Sequence, residues 1–210
     1  ERSTSSLVGG HSGTSPGMRL PPSPSPSPVS VIFRCDPLSG YRFRPMRLFA
    51  AFDVPDSVRD VLAGVRADLA GGPVSPRWSS PDLYHCTLRF VGEVDRETAS
   101  RYRQALHAVD APAFTVDLYG LDVLPGHRTP RVLVVGISPS PALRRLYQNV
   151  SAVLEAEGLP PEERSYRPHI TLGRFENPNP KTVHALLRRE RGRTFPSFDV
   201  SAFHLFESTL

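Results

Sequence analysis

The sequence contains the pattern His-x-Thr-Leu twice, at His85–Leu88 and at His169–Leu172. By average residue usage, two chance copies of this pattern have a probability of about one in a thousand. Each copy lies in a run of β-branched, aromatic and aliphatic residues, Tyr84–Val91 and Arg167–Phe175, which predicts two strands. Because side chains alternate along a strand, the histidine and the threonine of each copy share one face.

Two histidines with neighbouring hydroxyl groups are suited to acid–base chemistry on a phosphate ester. Opening a cyclic phosphodiester removes a proton from the entering oxygen and delivers one to the leaving oxygen, and histidine can do both. The hydroxyl groups of Thr87 and Thr171 can donate to phosphate oxygens. The alternative is structural: half-buried histidines bonded to backbone carbonyls, beside threonines that favour strands. The other five histidines lack the pattern, and we expect surface or packing roles for them.

Residues 1–45 differ in composition from the rest of the chain. They hold eight prolines and ten serines, and have little apolar surface to bury, so we expect a disordered tail. The run Met46–Phe52 resembles a natural chain start that leads into a strand. We therefore expect that the tail was added for expression or translated from upstream of the true start, with an authentic tail as the alternative. Residues 46–210 suit one compact domain or two closely fused lobes.

The formal net charge of +4 lies mostly in the tail, which carries five arginines against Glu1 and Asp36. Only about +1 remains for residues 46–210, so a broad nucleic-acid-coating surface is not indicated, although a phosphate-binding groove is compatible with this charge. The two cysteines make no disulfide framework. Without a long apolar run, and without a signal peptide before Met46, we expect a cytoplasmic protein, and we expect a monomer.

Strand and helix patterns alternate after residue 45. We predict strands over 46–53, 114–124, 131–137 and 198–206 in addition to the two motif strands, and helices over about 55–70, 96–109, 141–158 and 180–191. This mixture predicts an α+β fold. The similar placement of the two motif strands suggests an internal pseudo-duplication.

A resemblance to the two-histidine phosphoesterase superfamily is carried by Met46–Asp53, Arg77-Trp78, Leu83–Val94, Pro130–Leu133 and Pro168–Arg174. It covers residues 46–210 and points to the RNA 2′,3′-cyclic phosphodiesterase branch, also called 2′-5′ RNA ligase. The resemblance implies a bilobal α+β fold, in which two pseudo-twofold-related lobes of antiparallel sheet and helices surround a central cleft. It implies hydrolysis of 2′,3′-cyclic phosphate ends of RNA or nucleotides to 2′-phosphates, without metal or cofactor, and allows 2′-5′ RNA ligase activity as well.

The resemblance also implies roles for individual residues. His85 is the general acid that protonates the leaving 3′-oxygen, and His169 is the general base that activates water. Thr87 and Thr171 hold the phosphate. Arg174 matches a family arginine, but strict alternation turns it away from the cleft, so a bend at the preceding glycine or the length of the side chain is needed.

Further candidates line the cleft with less support. Phe49, Trp78 and Phe90 can stack on a base, with burial in the core as the alternative for each. Tyr166 and Arg131 are additional candidates for substrate contacts.

Three competing interpretations remain. A zinc enzyme needs a third protein ligand, which neither motif places on the His–Thr face, and Cys86 should point away. A non-catalytic nucleotide- or RNA-binding module would share the cleft, but has no need for two titrating groups. The same chemistry could also act on a small cyclic nucleotide, on ADP-ribose cyclic phosphate or on a 2′-5′ linkage.

Overall fold

The computed structural model describes residues 29–34, 46–69 and 71–208. Its strands are β1 (Ser30–Arg34), β2 (Met46–Asp53), β3 (Arg77–Trp78), β4 (His85–Val94), β5 (Phe114–Val116), β6 (Leu118–Leu124), β7 (Val132–Ile137), β8 (His169–Arg174), β9 (Phe198–Val200) and β10 (Ala202–Ser208). Its helices are α1 (Asp56–Leu69), α2 (Arg96–Leu106), α3 (Pro141–Ala156) and α4 (Pro180–Arg189). A 3₁₀ turn, Pro81–Leu83, precedes β4.

The main sheet is arranged about a pseudo-twofold axis. Its strand order is β1-β10-β2-β4-β8-β7-β6, with β3 also paired to β8. The motif strands β4 and β8 are the central pair, and each is followed outward by two antiparallel strands. The α+β class and the two related halves are thus as predicted. The halves are not sequential, because β10 from the C-terminal part completes the half that contains β2 and β4.

The helices form where the sequence provides caps and an apolar stripe. Asp95, Ser140 and Asn179 each accept a hydrogen bond from a backbone N–H of the first turn of α2, α3 and α4, and proline follows directly at the start of α3 and α4. Helix α1 buries Val58, Leu62, Val65 and Leu69 at helical spacing. The helix bounds agree with the predictions to within about three residues.

Two predicted strands are interrupted in the structure. The stretch 114–124 divides into β5 and β6, and 198–206 divides into β9 and β10, with β5 and β9 forming a separate two-stranded sheet. The interruptions lie at Asp117 and Ser201, whose carbonyls accept hydrogen bonds from Ser138 and Ser30. The chain therefore leaves the main sheet at both points, while β6 and β7 pair as an antiparallel hairpin.

The expectation of a disordered tail is wrong for residues 29–34. Strand β1 pairs in parallel with β10, and Val29 is buried and donates its N–H to the carbonyl of Ala111. The short run Val29–Phe33 is the apolar part of an otherwise Pro/Ser-rich segment, and the exposed backbone of an edge strand is a ready pairing partner. The predictions for residues 1–28 and 35–45 lie outside the described residues.

Candidate active site

The two motifs meet at the centre of the sheet. Cys86 of β4 pairs with Ile170 of β8 in antiparallel register, and both side chains are fully buried on the core face. The residues on either side of this pair face the cleft, so the register sets His85 beside Thr171 and Thr87 beside His169. All four are half-buried. The two motifs thus lie side by side and form a quartet of side chains around the pseudo-twofold axis.

Both imidazoles are oriented by the same backbone contact. Nδ1–H of His85 donates to the carbonyl of Leu83 at 2.8 Å, and Nδ1–H of His169 donates to the carbonyl of Arg167 at 2.7 Å. A carbonyl can only accept, so Nδ1 carries the proton and Nε2 is left to accept or to donate one. The structural interpretation of the motif is thus correct for one ring nitrogen, while the other remains available for chemistry.

A β-bulge follows the threonine in both motifs. The pairing of β2 with β4 skips Leu88, and the pairing of β7 with β8 skips Leu172. An extra residue reverses the alternation beyond it. Phe90 and Arg174 therefore lie on the same face as the histidines. The bend needed for Arg174 is supplied by the bulge at Leu172, one residue before the expected Gly173.

Gly173 has a different role, which is to permit the close approach of β3. A Cβ atom there would lie 2.8 Å from the carbonyl oxygen of Arg77 and 3.0 Å from Cβ of Pro76. No side chain larger than hydrogen fits without moving backbone. The short strand β3 can consequently pair with the end of β8, beside Arg174.

The electrostatic surroundings of the two histidines differ. Burial lowers the pKa of His85; its hydrogen bond to Leu83 and the Asp53 carboxylate oppose this effect, and a charge on His169 adds to it. Burial also lowers the pKa of His169, opposed by the hydrogen bond to Arg167, while the charges of Arg167 and Arg174 lower it further. Asp53 lies directly opposite His85 in the β2–β4 register, whereas Gly136 occupies the equivalent place opposite His169. Only His85 thus has a carboxylate as its cross-strand neighbour.

Aromatic rings surround His85. The ring centroid of Phe49 lies 4.9 Å from that of His85, and the Phe49 ring stacks on Phe206 at 5.1 Å. Phe90 lies 6.1 Å from Phe49 and its side chain is 61% exposed. Phe206 was not predicted; its pairing with Phe49 in the β10–β2 register places it on this face. Phe49 and Phe90 are thus at the cleft rather than in the core.

The other candidates are placed differently. Tyr166 stacks on Tyr147 at 4.1 Å, and its hydroxyl lies 3.7 Å from Sγ of Cys86, which belongs to the core face. Trp78 is half-buried and donates from Nε1 to Ser75 at 3.2 Å. Arg131 is exposed and precedes Val132, the partner of Arg174, so alternation turns it from the cleft face. The contacts of Trp78 and Arg131 do not bring these side chains to the histidine pair, whereas Tyr166 also lines a cavity beside His169.

A cavity of about 110 Å³ lies beside His169. Its walls include Tyr119, Asp122 and Gly136, none of which was predicted as a site residue. The Tyr119 ring lies across Gly136, where a Cβ atom would come within 2.3 Å of the ring. The glycine thus allows an aromatic hydroxyl residue to lie near the second histidine. The space is too small for a nucleotide but has room for water beside His169.

Cys86 is not arranged as a metal ligand. Its thiol is buried under the sheet, and burial raises its pKa to about 12. Among the described residues, no group of three or more His, Cys, Asp and Glu side chains is placed to hold a metal ion. Within the same part of the chain, no helix has the length and apolar character needed to cross a membrane.

Two histidine–threonine pairs on the facing motif strands of a pseudo-symmetric α+β sheet define the class of two-histidine phosphoesterases. Residues 51–209 match the 2′-5′ RNA ligase superfamily, and the chain belongs to this family. The family prediction made from the repeated motif is confirmed.

Curated relatives and solved structures agree with this assignment. The chain is 31% identical over 165 residues to the RNA 2′,3′-cyclic phosphodiesterase of Archaeoglobus fulgidus, an alignment that covers 79% of this chain and 92% of the relative. It is 32% identical over 151 residues to the enzyme of the same name from Aeropyrum pernix, with coverage of 71% and 86%. The fold is similar to E. coli LigT complexed with 3′-AMP, at a TM-score of 0.64 and 26% identity over 79% of this chain and 90% of LigT.

Proposed function

We propose that the protein is an RNA 2′,3′-cyclic phosphodiesterase that opens the cyclic phosphate by acid–base catalysis with His85 and His169. The observation that carries this proposal is the quartet of His85, Thr87, His169 and Thr171 on one face, with both Nε2 atoms available. The relatives of the same name provide the substrate class. The complex of the similar LigT protein with 3′-AMP supports a nucleotide as the kind of ligand that this protein binds.

In the proposed reaction, Nε2 of His169 accepts a proton from water while the water oxygen attacks phosphorus. The bond between phosphorus and the 3′-oxygen breaks, and Nε2–H of His85 protonates that oxygen. The products are a 2′-phosphate and a free 3′-hydroxyl group. The hydroxyls of Thr87 and Thr171 and the guanidinium group of Arg174 donate to the non-bridging oxygens, where negative charge increases in the transition state.

The assignment of acid and base is supported by the unequal surroundings. The Asp53 carboxylate stabilises the charged form of His85, which an acid needs before the reaction. The cationic Arg167 and Arg174 favour the neutral form of His169, which a base needs. The cavity beside His169 also has room for the attacking water. Each of these features favours His85 as acid and His169 as base.

The aromatic side of the cleft suits the nucleobase. Phe49, Phe90 and Phe206 form an apolar surface next to His85, and stacking on such rings tolerates any base. The cationic side around His169 suits the phosphate. Roles for Tyr166 and Arg131 in substrate binding, the monomeric state and the cytoplasmic location stay predictions from the sequence.

Phosphorus NMR of an oligonucleotide with a 2′,3′-cyclic phosphate end tests the proposal. The cyclic phosphate resonance should be replaced by that of a 2′-phosphate, at a rate that exhaustive EDTA treatment does not change. A 3′-phosphate product would reverse the roles of the histidines or the orientation of the substrate. A loss of activity that zinc or manganese restores would support the metalloenzyme alternative.

A further inference from the structure

A second, larger cavity lies between the edge strand β6 and helix α4. Its volume is about 360 Å³, and its walls include Asp122 of β6, His127 of the β6–β7 turn, and His184, Leu187, Arg188 and Arg191 of α4 and the following residues. Below, it is called the β6–α4 groove. Nε2–H of His184 donates a hydrogen bond to the carbonyl of His127 at 2.9 Å, so the turn and the helix hold one another in place.

The arginines of this region fall into two groups. Arg189 and Arg193 form ion pairs with Glu190 at 2.9 and 2.8 Å, and Arg193 also pairs with Asp68. Arg188 and Arg191 line the groove and are exposed, and no acidic side chain in the described part of the chain forms a salt bridge with either. The groove thus presents two guanidinium groups whose charge is not offset by an ion pair within the described residues.

Asp122, the acidic residue that lines the groove, already has two partners. Oδ1 of Asp122 lies 2.9 Å from Nε2 of His127, and Oδ2 lies 3.5 Å from a guanidinium nitrogen of Arg167. The Arg167 guanidinium therefore offsets part of the negative charge that faces the groove. The carboxylate also holds the turn in place through His127.

The groove adjoins the cavity beside His169. Asp122 lines both the groove and the cavity beside His169. In the sheet, Asp122 pairs with Val134, which pairs with Thr171, so Asp122 lies two strand spacings, about 10 Å, from the second motif. Arg167 joins the two places, because its carbonyl accepts from His169 and its side chain contacts Asp122.

We propose that the β6–α4 groove binds the phosphodiester backbone of single-stranded RNA on the 5′ side of the cyclic end. This inference rests on the proposed function, and it names oligonucleotides rather than mononucleotides as the preferred substrate. The planar forks of Arg188 and Arg191 match phosphate oxygens, and the rings of His127 and His184, 5.3 Å apart, offer flat surfaces to ribose or base. A mononucleotide bound at the histidine quartet has no phosphate that could reach the groove.

The test measures the hydrolysis of two substrates by a double variant that carries both Arg188→Gln and Arg191→Gln. For a short oligonucleotide with a 2′,3′-cyclic phosphate end, we expect KM to rise about tenfold. The slope of log KM against log salt should also decrease by about 1.4, because each phosphate contact on a single strand contributes about 0.7 to this slope. For a mononucleotide 2′,3′-cyclic phosphate, both quantities should stay as in the unaltered protein. Arg189→Gln is the matched control, because this arginine pairs with Glu190 outside the groove.

A binding measurement separates this inference from the proposed function. Fluorescence anisotropy with an oligonucleotide ending in a 2′-phosphate needs no turnover, and the double variant should bind it about tenfold more weakly than Arg189→Gln does. If the unaltered protein hydrolyses neither substrate, the proposed function is wrong. The anisotropy measurement still shows whether the β6–α4 groove binds RNA. Equal binding by the double variant and the control, or equal loss with both substrates, would overturn the inference.

Discussion

Replacing Asp53 with asparagine should move one limb of the pH profile and leave the other in place. The carboxylate lies opposite His85 and raises the pKa of that imidazole, against a larger lowering by burial. If His85 is the acid, kcat/KM falls above its pKa, because only the protonated form donates. Removing the negative charge lowers this pKa, so the alkaline limb should move to lower pH. The acid limb, set by His169, should not move.

The size of the expected pKa shift of His85 follows from the geometry of the β2–β4 strand pair. Directly opposite residues have Cβ atoms about 5 Å apart, which puts the two charged groups about 6 Å apart. At an effective dielectric constant of about 20–40, the interaction energy of two unit charges at this separation is about 1.4–2.8 kcal/mol. Arg59 at 3.9 Å and His204 at 3.3 Å share the carboxylate, which favours the lower end. On the alkaline limb we therefore expect kcat/KM to fall about tenfold.

The assay is the pH dependence of kcat/KM on a 2′,3′-cyclic phosphate, with melting temperature as the check on folding. Since burial lowers the pKa of both His85 and His169, the maximum for the unaltered protein should lie below about pH 6.5. Asp56→Asn is the control, because Asp56 also contacts Arg59 but is exposed and does not face the cleft. A shift of the acid limb in Asp53→Asn would refute the assignment of His85 as the acid.

Three other perturbations have definite expected outcomes. His85→Ala and His169→Ala should each lower kcat by about 10²–10⁴-fold, and the double variant should be little worse than the poorer single one; activity within threefold of the unaltered protein in either single variant would contradict the two-histidine mechanism. Gly173→Ala forces a Cβ atom to within 2.8 Å of a backbone carbonyl of β3, so its melting temperature should fall by about 3–10 °C. Removal of residues 1–34 should lower the melting temperature by about 2–8 °C relative to removal of residues 1–28, since only the longer deletion takes away β1 and the buried Val29; equal values would mean that β1 adds no stability.

Local patterns were sufficient to predict the helices, the motif strands and the identity of the quartet. Capping residues and apolar spacing depend only on neighbours in the chain, and the His-x-Thr-Leu pattern depends on alternation within one strand. The positions of Asp53 and Phe206 depend on which strands pair and in what register. That information comes from contacts between β2, β4 and β10, which are distant in sequence.

The bulges explain why alternation was an insufficient guide beyond the threonines. An extra residue in a strand is visible only when its partner strand is known. Strand β1 was missed for a related reason. The Pro/Ser-rich composition of residues 1–45 predicts disorder, but Val29–Phe33 contains four apolar residues of five, and β1 pairs with the edge of β10.

The two halves of the site have the same backbone framework, but one half surrounds its histidine with aromatic rings and the other with cationic side chains. Leu88 and Leu172 occupy equivalent bulges, so the residue two positions further on faces the cleft in both halves. In one half this residue is Phe90, and in the other it is Arg174. A symmetric pair of imidazoles alone would accept the substrate in two orientations. In the proposed reaction, the aromatic rings on one side attract the base and the guanidinium groups on the other side attract the phosphate, and the choice of leaving oxygen follows from this difference.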